Sequence, residues 1–436
     1  MKICLSFFVS AAILFFNCCK KNNPPPAVLH PAITSINPVS GTVGTSVTIS
    51  GSNFDATPAN NTIKFNGVSA TITSGTTTNL VANAPASGTT GAVSISTSAG
   101  TAAGPIFTYA AIPPPFTGDV YVAGFEINAA GYPVAKIWKN GTPTALTDGS
   151  KDAIAFSVFV SGTDVYASGF EWKQKASSGN FEIAKYWKNG TAVALTDGTA
   201  SARGNSIFVS GNDVYVVGYE TIGLHFVARL WKNNVGVSLT GNFEDAVATS
   251  VIVSGNDVYV AGYENPTGTS AGYYSARLWK NGVATNLTGP GFNAYTTSLF
   301  LAGTDVYVTA QVISPPPYSN AAIYKNGTGY YLSTGGLSAS ANAVFVSNND
   351  VYVAGYDNDT IGGIANYWKN GKRVALIDGG DKTIANAISV AGNDVYLAGN
   401  YSFSQSIYQA RYWKNGKAVN LTNGIYNASA FGMFLK

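Results

Sequence analysis

Reactive side chains are scarce in this chain of 436 residues. Its two histidines are His30 and His225, and its three cysteines, Cys4, Cys18 and Cys19, crowd the first stretch of the chain. A nucleophilic triad would have to be built around His225 alone, between Leu224 and Phe226, with no Gly-x-Ser-x-Gly turn to carry a nucleophile. A zinc centre needs several nitrogen or sulfur ligands, which the chain beyond Cys19 does not offer, so no metal and no cofactor is expected. Paired carboxylates could cleave a glycosidic bond, and Asp152, Glu244 and Asp245 stand in connecting segments where such a pair would sit. Solvated loop charge accounts for the same residues more simply, and a non-catalytic protein is the expectation.

The elements that would position any site are strands. Only 11% of residues are charged, the formal net charge is +3, and 48 glycines and 25 tyrosines occur without long helical patterns, which together indicate an all-β protein. So balanced a charge leaves no electrostatic footprint for nucleic acid. At this length two domains or a repeat array are expected.

The chain opens with Lys2, an apolar run over residues 3–16 and the pair Cys18-Cys19. That run is too short to span a bilayer comfortably. It resembles a lipoprotein signal peptide, with Phe16 where an aliphatic residue is usual. The resemblance implies removal of residues 1–18 and acylation of Cys19, which small Cys18 would precede. It further implies export and a lipid anchor in the cell envelope, at the outer membrane surface. With every cysteine in this segment, the remainder forms no internal disulfide. Residues 19–30, with Pro24, Pro25 and Pro26, read as an extended tether behind the lipidated cysteine.

Over residues 31–110, Val47, Ile49, Ile63, Phe65, Val93 and Ile95 alternate with small polar residues, as strands with one buried face require. The opening with Pro38, Gly41 and Gly44, the GSNF at 51–54 and the IKFNG at 63–67 resemble an IPT/TIG domain. The resemblance implies an immunoglobulin-like β-sandwich acting as a spacer, in a family some of whose members bind partners or sugars. Pro113, Pro114 and Pro115 make residues 111–117 a semi-rigid linker.

From 118 to 436 the chain repeats itself. The segment DVYVAG at Asp119 recurs in variant form at Asp164, Asp213, Asp257, Asp305, Asp350 and Asp394, at spacings of 45, 49, 44, 48, 45 and 44 residues. Each unit carries four apolar segments: A, like SIFVSG at 206–211; B, like DVYVVGYE at 213–220; C, like ARLWKNG at 276–282; and D, like VALT at 193–196. Gly211-Asn212 and Asn189-Gly190 are hairpin signals, because Gly and Asn tolerate positive φ. Four short strands per unit make a propeller blade. A chain leaving the outermost strand must cross three inter-strand steps of about 4.8 Å, which a two-residue turn cannot span, so A and B share a blade. A blade order beginning with strand C is the other arrangement the loops allow. The first unit lacks strand A, and residues 428–436 are a strand A without a B, so the two ends should complete one blade and close a seven-bladed β-propeller. The layout resembles kelch-type propellers, but the paired glycines after strand B are absent and the tryptophan sits on strand C beside Lys-Asn-Gly.

Three repeated positions need a reading. Trp138, Trp187, Trp231, Trp279, Tyr324, Trp368 and Trp413 share one place on strand C and are expected to fill the wedges between blades. Glu126, Glu171, Glu220 and Glu264 end strand B, and Lys136, Lys185, Arg229 and Arg277 on strand C are their expected ion-pair partners. Gln311 faces Ala322, so acid and base disappear together, while the rule frays at Asp357 with Asn366 and at Asn400 with Arg411. Asp119 and its six counterparts are expected to cap backbone N–H groups at the turn before strand B.

The B-to-C and D-to-A loops should emerge on one face. They carry Trp172, the residue of first choice for a ligand contact, with Tyr132, Phe181, Tyr273, Tyr274, Tyr295, Tyr318 and Phe403, and also Phe226 and Phe292. Rings that the repeat does not need suit stacking on sugars or burial of a partner's apolar side chains; local packing over blade edges is the competing explanation. The functional expectation is a non-catalytic binding or display module at the cell envelope, for glycan or protein. A polysaccharide-degrading enzyme and a purely structural envelope component are the alternatives.

Overall fold

The computed structural model describes residues 28–110, 116–175, 179–242, 245–265, 273–289, 291–313, 318–333, 338–358, 363–376, 382–402 and 407–436. Cys19, Glu244 and Phe403 lie outside them. The chain divides into two units, Met1–Ile112 and Pro113–Lys436. Among the described residues the only helical element is a 3-10 turn at Pro58–Asn60.

In the first unit two sheets face each other. One runs Ala32–Asn37, Ser46–Ser52, Asn79–Asn83, Thr71–Gly75; the other runs Ser40–Gly41, Gly100–Tyr109, Gly91–Thr97, Thr62–Phe65, Val68–Ser69. The alternation read from the sequence supplies the core, since Val47, Ile49, Ile63, Phe65, Val93 and Ile95 are fully buried together with Leu80 and Phe107.

In the second unit there are seven four-stranded antiparallel sheets. Blade 1 holds Val120–Ile127 (strand B), Pro133–Lys139 (C) and Thr142–Ala145 (D), and its strand A is the last strand of the chain, Ala428–Leu435. Val120 pairs with Leu435 and Glu126 with Ala428, and beyond them Asp119 N–H donates to the Lys436 carbonyl at 2.7 Å. Blade 2 is Ala153–Ser161 (A), Asp164–Lys175 (B), Gly179–Lys188 (C) and Thr191–Ala194 (D), and blades 3 to 7 repeat this order over 202–238, 246–286, 293–331, 339–375 and 383–420. Each strand A contacts the strand A of the blades on either side, from Ala428–Leu435 round to Thr383–Ala391 and back. Strand A is therefore innermost, the ring is closed, and a blade order beginning with strand C is excluded.

Every strand A carries a one-residue bulge, at Phe156 in blade 2 and Asn205 in blade 3, which brings its backbone close to strand B, at a glycine in six blades and at Ala310 in blade 5. A Cβ on Gly169 would stand 1.9 Å from the Ile154 carbonyl oxygen, so only glycine fits there. The strand C tryptophans are at most 1% exposed and Tyr324 is 7% exposed. Each packs on the preceding blade: Trp187 against Ala135, Ile137 and Leu146 of blade 1, Trp231 against Tyr166 and Ala184 of blade 2, and Trp413 against Ala354 and Leu376 of blade 6. Trp138 completes the circle against Ala398, Ala410 and Leu421 of blade 7.

The ion pairs expected between strands B and C form in all four blades: Glu126 with Lys136, Glu171 with Lys185, Glu220 with Arg229 at 2.9 Å and Glu264 with Arg277 at 2.8 Å. In blade 6, where strand C offers only Asn366, Asp357 takes Arg373 from strand D at 2.7 Å.

The aspartates that open strand B do something other than the backbone capping expected of them. Asp119 accepts from Lys139 Nζ at 2.7 Å, Asn140 Nδ2 at 2.7 Å and the Tyr121 hydroxyl at 3.4 Å, and the Lys139 ammonium stands 5.5 Å from the Tyr121 ring centroid. The asparagine does the capping, with Asn140 Oδ1 accepting from Val120 N–H at 2.8 Å. The reason is geometric: positive φ at Asn140 and Gly141 folds the C-to-D turn back over the start of strand B, so the Lys-Asn pair reaches the carboxylate first. The Asp–Lys and Asp–Asn contacts recur in every blade, through Asp394 with Lys414 and Asn415.

This clasp has a pH signature. Hydrogen bonds from the lysine and then the asparagine hold Asp119, Asp164, Asp213, Asp257 and Asp305 below the ordinary 3.8. A carboxylate depressed in the folded state contributes stability above its unfolded pKa and loses it as pH falls through the folded one. The melting temperature is therefore expected to fall as pH drops below about 4, and a variant carrying Asp164→Asn, Asp213→Asn and Asp257→Asn should show a shallower acid slope by calorimetry. An unchanged slope would mean that the clasps contribute nothing to folding.

Candidate functional site: a tyrosine pocket on the loop face

Strand alternation turns every second residue of strand A toward neighbouring blades, while the bulge re-aims one more. In blades 3 to 5 these positions meet the ends of strand B and the adjoining loops around a cavity of 480 Å³, within the range of about 300–1,000 Å³ usual for small-molecule sites. Strand A contributes Arg203, Asn205, Thr249 and Tyr295, strand B contributes Tyr219 and Tyr263, and the loop side contributes Phe226, Asp245 and Tyr274.

The rings form two groups. Tyr263 meets Tyr295 edge-on at 5.0 Å between centroids and Tyr274 at 5.4 Å, and Tyr274 and Tyr295 are 5.4 Å apart. Tyr219 packs on Phe226 at 4.8 Å. Burial pushes the Tyr263 hydroxyl up to about 12 and raises Tyr219, Tyr274 and Tyr295 above their ordinary value; the Asp245 charge adds to the rise at Tyr274. All four are phenols, not phenolates, at neutral pH, able to donate as well as accept. Tyr219 donates to Glu182 Oε2 at 3.0 Å, whereas the hydroxyls of Tyr263, Tyr274 and Tyr295 have no hydrogen-bond partner among the described residues.

Arg203 is the one cation among the described lining residues. Its Nε donates to Glu182 Oε2 at 2.6 Å and its Nη2 to Oε1 of the same carboxylate, in a two-pronged pair with a residue only 9% exposed. The guanidinium also lies 4.9 Å from the Phe170 ring centroid and 5.9 Å from that of Tyr219. From Phe170 the aromatic surface continues through Phe156 at 5.8 Å, Phe431 at 5.5 Å and Phe125 at 6.0 Å, across blades 2 and 1. Asp245 accepts from Phe226 N–H at 2.9 Å and stands 3.4 Å from His225 Nδ1. Among the described residues no group of three or more His, Cys, Asp or Glu side chains is placed to hold a metal ion.

Of the residues singled out from sequence, Tyr274 and Tyr295 come together here, with Phe226 beside them. Trp172 does not line the cavity: it is half-buried on the outward extension of strand B in blade 2, paired across the sheet with Glu182, and its indole N–H is buried without a partner. Phe181 lies on the same extension, opposite Lys173. Tyr273 is half-buried next to Tyr274, and Tyr132 and Tyr318 are exposed in separate loops of blades 1 and 5. Tyr219, Tyr263, Arg203, Asn205 and Thr249 were not expected, because strand residues were assigned to packing. For Arg203 the signal lay in comparing blades: its position, shared with Tyr295, is held by Ile154, Val247, Ser340, Ile384 and Ser429 elsewhere, so the repeat demands nothing there, whereas Tyr219 and Tyr263 stand where Phe125, Phe170 and Tyr356 also place a ring.

Residues 31–109 match the IPT/TIG domain family. Fold and family together define an IPT/TIG domain joined to a seven-bladed β-propeller. The comparison with curated proteins gave no match. Among solved structures, the chain is similar to an auxiliary nutrient binding protein from Bacteroides thetaiotaomicron, at 9% identity over 92% of this chain and 97% of that one, with a TM-score of 0.33. An auxiliary nutrient binding protein from Bacteroides ovatus is similar at 13% identity over 94% and 98%, TM-score 0.30. The β-propeller domain of the Trilobed protease from Pyrococcus furiosus is similar at 9% identity over 71% and 94%, TM-score 0.44.

Proposed function

We propose that this protein is an exported lipoprotein, anchored in the cell envelope at the outer membrane surface through acylated Cys19, whose kelch-like propeller binds a glycan or protein partner without transforming it. The IPT/TIG domain serves as the spacer that carries the propeller. One observation supports the reading above others: three half-buried tyrosines whose hydroxyls have no hydrogen-bond partner among the described residues line a cavity, two of them, Tyr274 and Tyr295, at positions the repeat leaves free. Positions that hold the ring together are nearly invariant from blade to blade, as the tryptophans are. The position of Tyr274 is instead occupied by Pro133, Glu182, Phe226, Ser319, Gly363 and Tyr408 in the other blades. Folding alone gives no reason to place rings there, and binding does.

The test is retention and chemistry measured together. The full chain is passed over immobilised polysaccharides and crosslinked on cells, alongside Tyr274→Ala and Tyr295→Ala. Loss of a bound glycan or partner in both variants, with unchanged melting temperature, is the expected result. Release of reducing sugar that stops on Asp245→Asn would replace the reading with a hydrolytic one, and retention of every partner by both variants would leave the propeller a structural component.

A further inference from the structure

Whether the pocket takes charged or uncharged chains is decided by what its charges are already doing. Recognition of a uronate or sulfate calls for an arginine or lysine free to form charge-assisted hydrogen bonds. Arg203 is the only such group among the described lining residues, and its Nε and Nη2 both donate to Glu182, a nearly buried carboxylate, so its charge is already met within the protein. Among the described residues, Arg203, Glu182 and Asp245 give the pocket and its immediate support a formal sum of one negative charge.

What remains on offer is uncharged. Tyr263, Tyr274 and Tyr295 present ring surface for the C–H face of a sugar, and their three hydroxyls can exchange hydrogen bonds with sugar hydroxyls. A quaternary ammonium would need ring faces on opposing sides. Here the rings touch one another, at 5.0, 5.4 and 5.4 Å between centroids, and leave no slot between them.

We propose that the tyrosine pocket is selective for neutral glycan chains, with Arg203 and Glu182 acting as a self-neutralised pair that positions Tyr219 and not as a receptor for anions. This rests on the reading that the pocket is a binding site. Tyr219 takes its place because its hydroxyl donates to Glu182 and its ring stands beside the guanidinium.

Calorimetric titration of the full chain at pH 8 tests it. The probes are neutral hexamers of glucose, mannose, xylose and galactose, the acidic hexamer of galacturonic acid, and the permanently cationic hexamer of N,N,N-trimethylglucosamine. Expected is binding of at least one neutral hexamer, weakened about tenfold or more by Tyr274→Ala and Tyr295→Ala and only a few-fold by Tyr274→Phe and Tyr295→Phe. Because no ion pair forms with the ligand, raising salt to about 1 M should change the affinity less than about twofold. Tighter, salt-sensitive binding of the acidic or cationic hexamer, lost in the tyrosine variants, overturns the neutral selectivity and leaves the binding reading intact. No hexamer bound, with a crosslinked protein partner lost in the same variants, does likewise. No hexamer bound and no partner lost removes both.

Discussion

Trp138→Ala is expected to lower the stability of the propeller by about 3–5 kcal/mol, read from the shift of its denaturation midpoint in urea. Trp138 is fully buried, and although Leu421 also packs on it, several residues around it are small: Ala398 and Ala410 of blade 7 and Ala428 and Ala430 of the closing strand. Small neighbours on β-strands cannot swing into the space an indole leaves, so the cavity persists and its cost adds to the lost transfer energy. The indole N–H has no hydrogen-bond partner, so the loss is one of apolar packing alone. Trp138→Phe, which refills most of the volume, should recover more than half of the stability. A loss below about 1 kcal/mol for the alanine variant would contradict the wedge role, since exposed substitutions produce effects of that size. The same substitution at Trp231 is expected to cost a comparable amount, because its neighbours Ala184 and Ala202 are as small.

Removal of residues 428–436 is expected to abolish cooperative unfolding of the propeller altogether. The segment is the inner strand of blade 1, paired from Val120 to Glu126, and it supplies Met433 and Leu435 to one wedge and Phe434 to the next. Without it, strand B of blade 1 presents unpaired backbone groups and two wedges lie open, conditions that lead strand edges to associate. The expected readout is a broad or absent thermal transition and concentration-dependent aggregation. A milder variant separates closure from simple loss of chain: a Cβ at Gly432 would stand 2.8 Å from the Phe156 carbonyl oxygen, so Gly432→Val should loosen the seam between blades 1 and 2 while the strand remains. A truncated chain that melts as sharply as the intact one would show that the ring does not depend on its closure.

Much of this architecture was legible in the sequence because it is written locally and repeated. Positive-φ pairs such as Asn189-Gly190 mark hairpins wherever they stand, and a strand declares itself within a few residues by alternation. The seven strand C aromatics, read as wedge fillers, proved to be that, and the glutamate–lysine pairs of strands B and C could be matched because both partners sit in one blade. The aspartate clasp was misread for want of geometry. Asp119, Lys139 and Asn140 are each visible as repeated residues, but only the fold-back of the C-to-D turn shows that they meet.

By itself, then, the order of residues determined the number of blades, the strands within each and the seam between the chain ends, since hydrogen-bonding pattern and side-chain period act over a few residues. Only the tertiary structure decided which side chains share a cavity. Arg203 of blade 3 meets Glu182 of blade 2, and Tyr263 of blade 4 meets Tyr295 of blade 5, because circular closure sets radial distance from the axis, and radial distance bears no relation to separation along the chain.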